Sequence, residues 1–256
     1  MTGSDLSLSA QTENADVATG GVLSIEVEGA AVARSPNVKR HELRLTRGRR
    51  WETLGLAGAT VWFTGLPAAG KSTIAGAVEE RLVTAGRPAL LLDGDDLRHG
   101  LNGDLGFDEA ARSENVRRTA HVARLLAEAG TIAVVSLVSP YARDRKAALA
   151  LHAAIDLPFI EVFVDTPLEL CEQRDPKGLY ARARAGELAG LTGVGAPYEA
   201  PTRPDLALHT DSETVEIAVE RVMRALIARF PASTAGACQR PAPLSRTTAS
   251  ALSLAP

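Results

Sequence analysis

Cysteine is nearly missing from this chain. Only Cys171 and Cys238 occur among 256 residues, and the second lies in a stretch of small and polar residues, so no disulfide framework is implied and a reducing compartment is expected. No apolar run approaches the ~18 residues of a membrane span, and the opening MTGSDLSLSAQTENAD lacks the charged-then-apolar order of a signal peptide. A strong charge of either sign is missing too. The 28 Lys and Arg against 31 Asp and Glu leave a net charge of -3, which argues against a generally basic nucleic-acid binder, although a local cationic pocket fits inside a near-neutral total. These absences leave a cytoplasmic globular protein, with neither nucleic acid nor membrane as its expected partner.

What is present is apolar material for one substantial core, at 45% hydrophobic residues. The first 33 residues are small, polar and acidic, and RSPNVKRHELRLTRGRR from Arg34 to Arg50 is densely basic. Residues 1–50 therefore read as a disordered acidic tail and a solvated basic arm. Residues 231–256, rich in Ala, Ser, Pro and Thr without periodicity, read as a disordered C-terminal tail. The folded domain is expected at 51–230.

Within it, short apolar runs alternate with segments of helical period. ATVWFTGL, PALLLD, TIAVVSLV, FIEVFVD and a weaker DLALHT read as strands. KSTIAGAVEERLVTAG, ARSENVRRTAHVARLLAEAG, ARDRKAALALHAAI and ETVEIAVERVMRALIARF carry apolar residues at three- and four-residue steps and read as helices. This order predicts an α/β fold of three layers, a five-stranded, mainly parallel sheet with helices on both faces. Ligands in such sheets sit beyond the carboxyl ends of the strands.

One of those ends carries GLPAAGKST, covering Gly65, Leu66, Pro67, Ala68, Ala69, Gly70, Lys71, Ser72 and Thr73. It fits G-x-x-x-x-G-K-[ST] between a strand and a helix, the P-loop pattern. Its glycines let the backbone turn N–H groups toward phosphates, the following helix adds its positive end, Lys71 reaches the β- and γ-phosphates of ATP, and Ser72 is the expected Mg²⁺ ligand. A GTPase would also need an N-K-x-D base-reading motif, and the sequence has none.

Four ordered blocks resemble the adenylyl-sulfate (APS) kinases: LLLDGDDLRHGLNGDLGFDEAARSENVRRTAHVARLLAEAG at 90–130, SLVSPYARDR at 136–145, IEVFVDTPLELCEQRDPKGLYARARAGELAGLTG at 160–193 and APYEAPTRPDLALHT at 196–210. The resemblance implies a P-loop kinase that phosphorylates the 3'-hydroxyl of adenosine 5'-phosphosulfate from ATP with Mg²⁺, in sulfate activation. It also implies a homodimer. The catalytic carboxylate falls on Asp95, which with Ser72 is the expected metal ligand and is supported by Asp93. Substrate-binding positions fall on Arg98, Phe107, Arg112, Asn115, Val138, Ser139, Lys177, Gly190 and Leu191. These types suit the ligand, with guanidinium forks for an anionic phosphosulfate and an aromatic face for adenine. Ser139 matches a position described as a phosphoserine intermediate; binding of substrate by Ser139 with direct in-line transfer is the alternative. RDPKGLYARARAGE, from Arg174 to Glu187, looks like the family's lid, with Arg174 at the ATP, and Lys177, Arg182 and Arg184 either closing over the site or facing solvent. Asp165 reads as a strand-end cap, and His99, His121, His152 and His209 as structural residues.

The chain departs from the family's pattern at three places. Pro67 and Ala68 replace a usual Ser-Gly pair, which removes one N–H donor from the phosphate loop. SLVSP replaces S-F-I-S-P. Asp96 stands where Asn is usual; a carboxylate ~6 Å from a phosphate charge costs about 3 kcal/mol at an effective dielectric near 20 and under about 1 kcal/mol in water. Asp96 therefore points away, meets a cation, or weakens nucleotide binding. Two rival functions stand beside the main one, a kinase of another small hydroxyl substrate and a nucleotide-binding regulator without turnover. A fused ATP sulfurylase does not fit before residue 57, so a separate protein is the expected source of APS.

Overall fold

The computed structural model describes residues 44–230. The expectations for the acidic tail, for most of the basic arm and for the C-terminal tail lie outside the described residues. In chain order the elements are α1 (Arg47–Leu54), β1 (Ala59–Thr64), α2 (Lys71–Thr84), β2 (Ala89–Asp93), α3 (Gly94–Arg98), α4 (Glu109–Ala129), β3 (Ile132–Ser136), α5 (Ala142–Ala153), β4 (Phe159–Val164), α6 (Leu168–Arg174), α7 (Leu179–Arg184), β5 (Leu206–Leu208) and α8 (Val215–Ala228). The strands form one sheet in the order β2-β3-β1-β4-β5, and every pair in it is parallel.

Each central strand is apolar on both faces, which is why the runs read as continuous hydrocarbon rather than as alternation. Val61 and Phe63 of β1 join Ile132, Val134, Ile160 and Val162 in a core shared with Ile74, Val78 and Leu82 of α2 and Val222 and Leu226 of α8. Trp62, Ala133, Val135 and Phe159 join a second core with Val116, Ala120 and Ala123 of α4 and Ala148 of α5. The sheet thus lies between two helical layers. Chain connections leave β1 toward β2 on one side and reach β4 on the other, so the crevice between β1 and β3 is the switch point where such sheets take ligands.

Most boundaries follow local signals. Asp108 and Thr214 accept from the backbone N–H three residues on and start α4 and α8, and Gly130 ends α4 in the left-handed region, at φ 100°. β3 stops at Ser136, two residues short of the apolar run, because the chain turns at Ser139. The buried His152 is a core residue. It bridges the Ala148 carbonyl and the Thr60 hydroxyl, each at 2.8 Å.

One boundary needs correction. The last four residues assigned to the solvated arm, 47–50, belong to α1. Arg50 and Trp51 donate to the carbonyl of Glu128 at 3.3 and 3.1 Å, and Arg47 donates to that of Ile155. A carbonyl in the last turn of α4 lacks a helical partner and sits at the negative end of the helix dipole, so cationic and N–H donors bind there.

β1 begins against α4. A Cβ on Gly58 would lie 2.0 Å from the carbonyl oxygen of Ala127 and 2.7 Å from its carbon, both backbone atoms in the last turn of α4. Gly58→Ala should therefore destabilise the domain by about 3 kcal/mol, read as a lower denaturant midpoint with unchanged slope; an unchanged midpoint would show that α4 can move aside.

Candidate active site

The site is built where β1, β2 and β3 end. After Thr64 the chain turns at Gly65, where a Cβ would meet the Val164 carbonyl at 2.6 Å, so only glycine permits the close approach to β4. The loop runs to Gly70, which caps α2 at φ 100° without a side-chain hydrogen bond, leaving the first N–H groups of α2 open to an anion. Ala68 takes φ 59°, a region L-residues enter at a cost of about 1–2 kcal/mol. This is the place where the sequence replaces a glycine.

Lys71 is 7% exposed and donates to the Leu66 carbonyl at 2.7 Å. Burial pulls its ammonium down to about 8, with Asp93 and Asp95 opposing that shift. Ser72 Oγ donates to Asp93 Oδ2 at 2.6 Å and lies 3.1 Å from Ser136 Oγ. Asp93 also caps α3 by accepting from the Asp95 N–H at 2.9 Å. The Ser72 partner is thus Asp93, while Asp95 pairs with Lys177 from the segment between α6 and α7. Both members of that second pair are more than half exposed, which makes it a weak and readily opened contact.

A cavity of about 940 Å³ joins this phosphate loop to the other expected residues. Pro67, Ala68, Gly70, Lys71, Ser72 and Thr73 line it on one side, with Asp93 and Asp95 at its middle. Arg98, Phe107, Arg112, Asn115, Val138, Ser139, Gly190 and Leu191 line the other, and Arg174, Lys177 and Arg182 border it as well. Gly65, Leu66 and Ala69 do not line it. Gly65 packs on Val164, Leu66 supplies the carbonyl that holds Lys71, and the Ala69 carbonyl accepts from Thr166, Thr210 and Arg174.

Phe107 is 64% exposed, and the guanidiniums of Arg98 and Arg112 lie 4.1 and 5.8 Å from its ring centroid. Arg98 donates to the carbonyls of Leu105 and Gly106, and Arg112 to those of Phe107 and Gly190. Burial lowers both guanidinium pKa values, so each gains from an anion entering the cavity. Asn115 is held by Asn102, whose amide donates to it at 2.7 Å. Ser139 is 2% exposed, sits at φ 38°, and accepts from Trp62 Nε1 at 3.2 Å. Arg184 pairs with Glu172, and Arg182 makes no ion pair among the described residues.

Sequence reading missed Ser136, Tyr180 and Thr210. Tyr180 donates its hydroxyl to the Pro67 carbonyl at 3.0 Å, tying α7 to the phosphate loop; its place inside the RDPKGLYARARAGE stretch was the available signal. Thr210 ends the DLALHT run and binds Arg174 at 2.8 Å. Asp96 does not line the cavity, and its carbonyl accepts the His99 N–H. It is the first of the three possibilities, a carboxylate that points away. Asp165 lies at the end of β4 with its N–H on the Leu208 carbonyl, outside the cavity.

The family described as adenylylsulphate kinase matches residues 57–209. The chain is 49% identical over 207 residues to the bifunctional enzyme CysN/CysC of Mycobacterium tuberculosis, covering 81% of this chain and 33% of that one, so it spans about a third of the bifunctional relative. It is 46% identical over 190 residues to the adenylyl-sulfate kinase of Aeromonas salmonicida, covering 74% of this chain and 96% of that one. The structure of the M. tuberculosis APS kinase CysC in complex with AMPPNP and APS superposes with a TM-score of 0.66 at 50% identity, over 67% of this chain and 99% of that one.

Two outcomes follow from the charges. The unfolded chain keeps the Lys71 proton to about pH 10.5 and the folded one only to about 8, so between those values the unfolded state binds more protons and rising pH favours the fold. Below pH 8 the buried charge costs about 3 kcal/mol. Lys71→Met should raise the melting temperature of the ligand-free protein at pH 7 by several degrees and abolish stabilisation by Mg-ATP; a lower melting temperature would contradict the stored cost. Asp96→Asn should leave kcat/KM within about twofold, and a loss above roughly tenfold would reveal a contact absent from this arrangement.

Proposed function

This chain belongs to the adenylyl-sulfate kinase family, and from that premise we propose that it transfers the γ-phosphoryl group of ATP to the 3'-hydroxyl of adenosine 5'-phosphosulfate, giving 3'-phosphoadenosine 5'-phosphosulfate and ADP. The observation that carries the reading is the single cavity in which a P-loop, two strand-end aspartates and the Arg98–Phe107–Arg112 wall meet. A phosphate cradle alone suits any nucleotide. The opposite wall, with an aromatic ring beside two guanidiniums, suits a second nucleotide carrying an anionic 5' group.

Lys71 and the open N-terminus of α2 bind the β- and γ-phosphates and draw charge from the bond that breaks. Ser72, Asp93 and Ser136 form an oxygen-only donor set that fits Mg²⁺, and Asp95 lies beside it. Mg²⁺ bound there would neutralise the phosphate oxygens. Asp95 orients the 3'-hydroxyl and accepts its proton as the oxygen bonds to the γ-phosphorus and ADP departs. Lys177 is released from Asp95 to the entering substrate, and closure of the α6–α7 segment, with Arg174 and Arg182, excludes water. Ser139 binds the acceptor by its hydroxyl in this scheme. The support is that no carboxylate or histidine among the described residues contacts that hydroxyl to take its proton, while Trp62 donates to it.

The same reading includes a homodimer, a cytoplasmic location and a separate ATP sulfurylase as the source of APS. Among the described residues no helix is long and apolar enough to cross a membrane.

The test incubates purified protein with Mg-ATP and APS, and with a small panel of other hydroxyl acceptors, following the phosphorylated product. Product with APS alone is expected, and Asp95→Asn should lower kcat by about 10²–10⁴-fold while ATP binding persists. Product only with another acceptor, or ATP binding without product, would overturn the assignment.

A further inference from the structure

Arg145 does not line the cavity, yet its guanidinium is held by three hydrogen bonds, one of them to the cavity residue Ser139. Its side chain is 3% exposed. Nε donates to Glu161 Oε1 at 2.9 Å, Nη1 to the Ser139 carbonyl at 2.7 Å and Nη2 to the Glu199 carbonyl, and the guanidinium lies 5.8 Å from the centroid of the Tyr198 ring. One residue of the first turn of α5 therefore joins β4, the turn after β3 and the segment leading to β5.

The turn it holds is a strained one. Ser139 occupies the left-handed region at φ 38°, where a side chain is disfavoured and persists only if its surroundings over-determine it. The surroundings do so from three sides. Arg145 binds the Ser139 carbonyl, Thr64 Oγ1 donates to the Val138 carbonyl at 2.8 Å, and Trp62 Nε1 donates to Ser139 Oγ. Tyr198 and Glu199 close the frame, with Tyr198 Oη 3.0 Å from Thr64 Oγ1 and the Glu199 N–H on the Pro140 carbonyl at 2.8 Å.

We propose that Arg145 is a positioning residue for the acceptor half of the reaction: its three-way clamp holds Ser139 in the left-handed turn, with the serine oxygen on Trp62 and the hydroxyl proton free to donate into the cavity. The guanidinium is needed because its rigid planar fork donates from three separate nitrogens to acceptors spread apart around it, whereas the three N–H groups of an ammonium radiate from one atom. The clamp lies behind Ser139, whereas the ATP side hangs on Lys71, Ser72 and Arg174, so loss of Arg145 acts on one substrate and spares the other.

The kinetic arm of the test rests on the proposed acceptor. Arg145→Lys is expected to raise KM for APS at least tenfold with KM for ATP within twofold. Glu161→Gln, which loses the ion pair but keeps the clamp on Ser139, is expected to lower the melting temperature with both KM values within twofold. Should Arg145→Met fold poorly for want of a partner to Glu161, the double variant Arg145→Met/Glu161→Gln removes both charges and is expected to reproduce the APS-selective loss. A second readout needs no turnover. In a Trp51→Phe background Trp62 is the only indole left of two, and its emission is expected to shift with Arg145→Lys and to stay with Glu161→Gln. An equal rise in both KM values, an unchanged KM for APS, or emission that shifts in both variants or in neither would overturn the positioning role. If the parent protein makes no product from APS, the proposed acceptor fails and the emission arm alone decides the inference.

Discussion

A buried ammonium without a carboxylate in contact sets the terms for the whole site. Lys71 is nearly sealed from water and is met directly only by the Leu66 carbonyl, while Asp93 and Asp95 act on it from farther away. In low dielectric an unneutralised charge is costly, and for the same reason it attracts an incoming phosphate strongly. The neighbouring features serve that vacancy of negative charge. Gly65 brings the loop against β4, Gly70 opens the end of α2 without a competing side-chain cap, and Ser72 stands one residue on with its hydroxyl on Asp93.

The opposite wall works by a complementary rule. Arg98 and Arg112 spend part of their hydrogen-bonding capacity on backbone carbonyls, which fixes their planes around Phe107 before any ligand arrives. A large aromatic ring left mostly exposed, beside two desolvated cations, is a poor arrangement for stability and a suitable one for stacking a base beside an anion. The two halves meet at Asp95, whose partner Lys177 comes from the segment between α6 and α7 and is held only by an exposed pair. Tyr180 ties the same segment back to Pro67, so the residue that departs from the family's loop supplies a carbonyl in place of the N–H it lacks.

Much of this was legible in residues close together in sequence. The P-loop could be read because eight consecutive residues carry its geometry, and the five strands because runs buried on both faces are continuous in hydrocarbon. The helix at Arg47–Leu54 was not legible. Its arginines look like solvent-facing charge until the carbonyls of Glu128 in α4 and of Ile155 just after α5, about a hundred residues away for Arg47, are brought beside them. Asp96 was ambiguous for a related reason: three aspartates in four positions look alike until the first turn of α3 sends one of them outward.

The sequence by itself determined the chemistry available at each strand end: a phosphate loop, a carboxylate cluster, a basic and aromatic segment. Those properties belong to side chains and to local backbone conformation, so they survive without knowledge of the fold. Only the tertiary structure decided the pairings: Ser72 with Asp93, Asp95 with Lys177, and Arg145 with Glu161, the Ser139 carbonyl and the Glu199 carbonyl. These contacts join elements that are distant in the chain. Their distances are set by how strands and helices pack, to a tolerance finer than any spacing in a sequence can express.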